Sequence, residues 1–87
     1  KLIQRRKVSL KSTVAYEVFS EVAKQTTFLA AAIQLNVTPS AISHSITNLE
    51  KELGFSLFIR NRTGVKLTQD GEKILPVIQD ILNAEAK

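Results

Sequence analysis

Cysteine is absent from the 87 residues, so neither a disulfide framework nor a thiolate metal site is available, which suits a cytosolic protein. His44 is the single histidine, and a metal would have to be held by carboxylates gathered from several helices. Glycine is scarce: Gly54, Gly64 and Gly71 each stand beside an element boundary, and no glycine-rich phosphate loop can be built from them. Serines are present, but no spacing suggests a serine, histidine and acid working together. No apolar run approaches the roughly 20 residues of a membrane span. Near the start, Leu2, Ile3, Val8 and Leu10 do not form the apolar block of a signal peptide. These absences leave no catalytic residue, cofactor or metal site to expect, and no enzyme. The chain opens on Lys1 rather than methionine, so a missing or processed start is expected.

What is present is one small domain, 44% apolar, with enough chain for a modest core but not for a large enclosed active site. Its net charge of +4 is unevenly spread. Residues 1–11 carry Lys1, Arg5, Arg6, Lys7 and Lys11 and no acid, while residues 12–87 carry seven basic and eight acidic groups, a net of −1. The pI alone is therefore weak evidence for a nucleic-acid partner, and a positive footprint must come from the placement of a few side chains. The basic arm reads equally as a solvated tail and as a segment that contacts DNA.

Apolar spacing predicts a first helix from about Ser12 or Thr13 to Gln25, with Val14, Val18, Phe19 and Val22 on one side. The β-branched pair Thr26 and Thr27 interrupts it, and Thr27 can cap a second helix over about 28–35. Ala30, Ala31 and Ala32 on that helix let a neighbour approach closely. Asn36 and Val37 turn into the stretch "TPSAISHSITNLEKELG", where Thr38 and Pro39 mark a helix start and Gly54 a stop. Helices two and three thus make a helix-turn-helix. Phe55, Leu57, Phe58 and Ile59 are strand-prone, "VKL" at 65–67 alternates, and "NRTG" between them supplies a turn. The result is a wing carrying Arg60, Arg62 and Lys66. Thr68 then caps a fourth helix, with Ile74, Ile78, Ile81 and Leu82 as its apolar stripe. Pro76 is expected to kink that helix or end its first section. The stripe reads as core or as a dimer seam; the seam is favoured, because little chain remains for the second half to pack against.

The third helix has a distinctive outer surface. Ile42, Ile46, Leu49 and Leu53 line one face. Ser40, His44, Thr47, Asn48 and Lys51 occupy the other, with Ser43 at the border and no carboxylate before Glu50. An ordinary solvated face mixes lysine, arginine and glutamate. A helix that enters the major groove keeps acids off its leading half, because the duplex repels them, and short side chains let it come close to base edges.

The stretch "FLAAAIQLNVTPSAISHSITNLEKELGFSLFIRNRTGVKLTQDGEKIL" resembles the amino-terminal winged helix-turn-helix of the LysR-type transcriptional regulators. The match runs from about Tyr16 to Leu75 through "AA" before "L.V", "SAIS…I..LE.ELG..LF.R" and "V.LT..G". The resemblance implies a mainly α fold: a winged helix-turn-helix of three helices and a two-stranded wing, followed by a linker helix that serves as a dimerisation seam. It implies a sequence-specific, bacterial, cytoplasmic and nucleoid-associated binder of double-stranded DNA, acting as a homodimer or higher oligomer. The ligand-sensing domain that normally follows lies outside this chain, and a small-molecule effector is expected only through it.

The expected organisation is a basic arm at 1–11, a DNA-binding domain at 12–68 and a linker helix at 69–87. Recognition helix 38–53 is expected in the major groove and wing 57–68 on the backbone or minor groove. Carried over, the family's reading positions fall on Pro39, Ser40, Ser43 and His44, with Thr47 beside them as candidate base or groove contacts. Many members have glutamine where Pro39 stands and arginine where His44 stands. Thr38, Lys51, Arg60, Arg62 and Lys66 are the candidates for phosphate, and Ile74, Ile78, Ile81 and Leu82 for dimerisation. The alternative from another class is a winged-helix protein–protein interaction module without DNA binding.

Overall fold

The computed structural model describes residues 2–86, with side chains described over 14–84. Four helices and one hairpin follow in the order α1 (Leu2–Gln25), α2 (Phe28–Leu35), α3 (Pro39–Leu53), β1 (Phe58–Asn61), β2 (Gly64–Leu67) and α4 (Gln69–Ala86). The first helix reaches back through the segment expected as an arm. No proline or glycine occurs before position 39, so nothing in that run breaks a helix.

Helix α1 stops at a costly place. Thr26 donates its N–H to the Val22 carbonyl at 2.8 Å, then takes φ 65°, a left-handed conformation unusual for a β-branched residue. Thr27 returns to extended backbone and its hydroxyl accepts from the Ala30 N–H at 3.0 Å, capping α2. We expect Thr26→Gly to raise the unfolding free energy by about 1 kcal/mol by relieving that conformation. Urea denaturation checks it, and a loss of stability would show that the threonine side chain contributes more than its backbone costs.

Ala31 and Ala32 are fully buried, so α2 lies close to its neighbours. Asn36 closes α2 in the left-handed conformation (φ 61°). Two residues later Thr38 caps α3, accepting from the Ala41 N–H at 3.1 Å, with Pro39 in the first helical position. Gly54 ends α3 at φ 86° with its N–H on the Glu50 carbonyl.

Strands β1 and β2 pair antiparallel, with Phe58 opposite Leu67, Ile59 opposite Lys66, Arg60 opposite Val65 and Asn61 opposite Gly64. At the tip the Asn61 carboxamide oxygen accepts from the Thr63 N–H at 3.0 Å and the Thr63 hydroxyl at 2.9 Å. The hairpin docks on the α1–α2 turn, where the Val65 N–H donates to the Thr26 carbonyl at 2.9 Å. Gly64, at φ 149°, permits that approach, because a Cβ there would run into the same carbonyl.

A second set of bonds gathers α3, the wing and α4. The Glu50 carboxylate accepts from the Leu57 N–H at 2.7 Å, and the Leu57 carbonyl accepts from the Thr68 N–H at 2.9 Å. The Thr68 hydroxyl donates to the Ser56 carbonyl at 2.7 Å and accepts from the Gly71 N–H at 2.9 Å, starting α4 as expected. Helix α4 then runs unbroken through Pro76, so the expected early stop does not occur. Proline there removes only one backbone donor, the partner of the Glu72 carbonyl.

The core lies where the helices and wing converge: Val18, Phe19, Val22, Ala31, Ala32, Ile42, Ile46, Leu49, Leu57, Phe58 and Ile78. Two expectations change here. Val14 is 61% exposed rather than core, and lines a cleft between α1 and α3 together with Asn48, Lys51 and Glu52. Ile78 is 1% exposed within the single chain, so it belongs to the protomer's own core and not to a seam. Residues 74, 78 and 82 follow one another at helical spacing of four, and Ile74 and Leu82 pack on that core with it. Ile81 is half-buried, and Val77 beside it is half exposed, so the apolar edge that α4 leaves uncovered in this chain lies round the helix from Ile74, Ile78 and Leu82.

Candidate nucleic-acid interface

The outward surface of α3 is built by burial of the other side. With Ile42, Ile46 and Leu49 at 0–1% exposure, Ser40, His44, Thr47, Asn48 and Lys51 are held outward and exposed. Pro39 is exposed at the leading end, and Ser43 is half-buried at the border. Up to Glu50 the face carries no carboxylate, and Glu50 itself turns away to hold the Leu57 N–H. Glu52 remains exposed near the helix end. The leading end of α3 is also the positive end of its dipole, and the first turn holds no acid to offset it. Exposed Thr38 stands there with its hydroxyl oxygen accepting from Ala41 and its O–H left to donate.

All three wing cations, Arg60, Arg62 and Lys66, are exposed, but the hairpin does not present them together. Arg60 and Phe58 share one face of β1, and Val65 opposite Arg60 is on the same side. Lys66 stands with Ile59 on the other face, and Arg62 is at the tip. The Arg60 guanidinium lies over the Phe28 ring, 4.6 Å from its centroid. The hairpin thus holds its three cations in three directions rather than in one patch.

Sequence reasoning missed three contributors. Phe28, the first residue of α2, bears Arg60; Glu50 ties the end of α3 to the wing; Thr26 supplies the carbonyl on which the wing docks. A phenylalanine opening an alanine-rich helix was the available signal for the first. For the other two, the sequence shows Glu50 in a position that can face protein and Thr26 at a helix boundary, but not their partners Leu57 and Val65. Chemistry of another kind is not gathered: among the described residues no group of three histidine, cysteine, aspartate or glutamate side chains could hold a metal ion. Nor, among those residues, is any helix long and apolar enough to cross a membrane.

The same arrangement recurs in known proteins. Among solved structures, a complex of the CbnR DNA-binding domain with DNA superposes with a TM-score of 0.83 at 30% identity, covering 85% of each chain. A complex of the BenM DNA-binding domain with benA site 1 DNA gives 0.81 at 28% identity, covering 85% of this chain and 83% of that one. Among curated proteins, the HTH-type transcriptional activator AmpR of Citrobacter freundii is 47% identical over 62 residues, 71% of this chain and 21% of its own length. The HTH-type transcriptional regulator MetR of Buchnera aphidicola is 55% identical over 53 residues, 61% of this chain and 17% of its own. The chain thus spans about a fifth of the length of the curated relatives it matches. The family model for the bacterial regulatory helix-turn-helix proteins of the lysR family matches residues 14–72. A winged helix-turn-helix with this order of elements, matched over most of its length, places the chain in the LysR family of bacterial transcriptional regulators.

Proposed function

We propose that this chain is a sequence-specific DNA-binding domain, with α3 entering the major groove and the wing lying along the backbone or minor groove. The observation that carries the reading is the outer face of α3: capped, exposed, free of carboxylates until Glu50, and built from short hydrogen-bonding side chains. Pro39, Ser40, Ser43, His44 and Thr47 then meet base edges. Thr38, Lys51, Arg60, Arg62 and Lys66 meet phosphates. The likeness to the CbnR and BenM DNA-binding domains, both solved in complex with DNA, supports the reading as a DNA binder. We read the working form as a homodimer in the bacterial cytoplasm on the nucleoid, joined along α4 through the edge that holds Val77 and Ile81. A small-molecule effector would act through the part of the relatives' length that this chain does not span.

Two variants divide the interface by role. His44→Ala should lose roughly 1–3 kcal/mol on a selected site and little on random duplex, because a base contact carries sequence information. Arg62→Ala should weaken every sequence alike and lower the salt slope by about one, because a phosphate contact releases a counterion. Fluorescence anisotropy on both duplexes over a range of salt separates them. Equal losses for His44→Ala on both duplexes would remove it from the base-reading set. An affinity that does not respond to salt would favour a protein–protein module instead.

A further inference from the structure

Of the wing cations, Arg60 has an aromatic ring beneath it. Its guanidinium carbon is 4.6 Å from the centroid of Phe28. That ring is in turn braced: Phe28 meets Phe58 edge to face at 6.4 Å and 80°, and Phe58 meets Phe19 at 5.4 Å and 61°. Phe19 is fully buried against the rest of the core. A continuous series of rings therefore leads from the centre of the domain to an exposed guanidinium. A backbone bond also fixes the hairpin beside this spot. Val65, which faces Arg60 across the hairpin, donates its N–H to the Thr26 carbonyl, two residues before Phe28.

We infer that Phe28 is a positioning residue for Arg60, acting on DNA affinity through the wing arginine. A ring under a guanidinium engages its flat face and leaves its N–H edge for a partner, here a phosphate oxygen, which takes two parallel hydrogen bonds from such an edge. An arginine already held in place loses less side-chain freedom on binding than one that samples many rotamers. Leucine at position 28 would fill similar space without a π face, and tyrosine would keep the face. The inference rests on the reading of the wing as a DNA contact.

The test is a cycle of Phe28→Leu, Arg60→Ala and the double variant, with Phe28→Tyr as the conservative control. Dissociation constants for one duplex are measured alongside NMR of the free protein. With Arg60 present, Phe28→Leu should weaken binding about two- to fivefold, the range set by an exposed cation–π contact. In the Arg60→Ala background the same change should leave affinity unaltered, and Phe28→Tyr should bind as the parent does. In the free protein the Arg60 δ-protons should be shifted upfield by the ring, and Phe28→Leu should abolish the shift. Equal weakening in both backgrounds would make Phe28 merely structural and overturn the inference. Absence of the ring shift would overturn it too. An intact shift with Arg60→Ala binding normally would instead show that Arg60 does not contact DNA, which removes the reading beneath the inference.

Discussion

Ile78→Ala is expected to lower the unfolding free energy by roughly 2–5 kcal/mol, the range for emptying a well-packed aliphatic site. The side chain is 1% exposed, and it brings α4 into a core otherwise formed by α1, α2, α3 and the start of the wing. Domains of this kind have a total stability on the order of 5–15 kcal/mol, so the change removes a large share of it. Ile78→Asp should unfold the domain outright, because a carboxylate at that depth has no partner. Val77 is half exposed, so Val77→Asp should leave the fold intact while weakening self-association. Circular dichroism with sedimentation velocity distinguishes the two sites. A folded, monomeric Ile78→Asp protein would show that this residue serves a seam after all.

Gly64→Ala should cost more than Gly54→Ala, although both glycines have positive φ. At Gly54 a Cβ meets no atom within 4 Å, so alanine there bears only the left-handed conformation, about 1 kcal/mol. At Gly64 the Cβ runs into the Thr26 carbonyl oxygen, with the Thr27 methyl close by. That carbonyl is the acceptor for Val65, so relief of the clash breaks the docking bond of the wing. Backbone strain and overpacking together come to about 2–5 kcal/mol if the domain resists, and to an undocked wing if it yields. Chemical denaturation reports the first case, and amide exchange at Val65 reports the second. Similar stabilities for the two variants, with Val65 still protected, would contradict the close approach seen here.

The elements were legible from local chemistry, since most boundaries are set by one or two side chains. Thr27, Thr38 and Thr68 each accept a backbone N–H three residues on, and Asn36 and Gly54 take the left-handed conformation that ends a helix. Spacing of apolar residues likewise identified the buried side of α3. The misreadings arose where a neighbour decides. Val14 continues the stripe of α1 but faces an open cleft beside α3, and Ile78 continues that of α4 but packs within its own chain. Periodicity states which residues share a face, never what covers it. The start of α1 was misplaced because a run of charge suggested a tail, although no residue in it ends a helix. At the interface, the exposed face of α3 followed from sequence, while the roles of Phe28, Glu50 and Thr26 depend on contacts between separate elements. Those contacts exist only once the hairpin register and its docking site are set.

Selection of bound duplexes from a random pool tests the proposed reading of DNA by α3 most directly. The expected result is an enriched inverted repeat whose half-sites lie about one helical turn apart or a multiple of it, with binding that falls steeply as salt rises. His44→Ala should then relax the preference at a defined base position in each half-site. A pool that remains random after repeated rounds, with salt-independent retention of duplex, would contradict it.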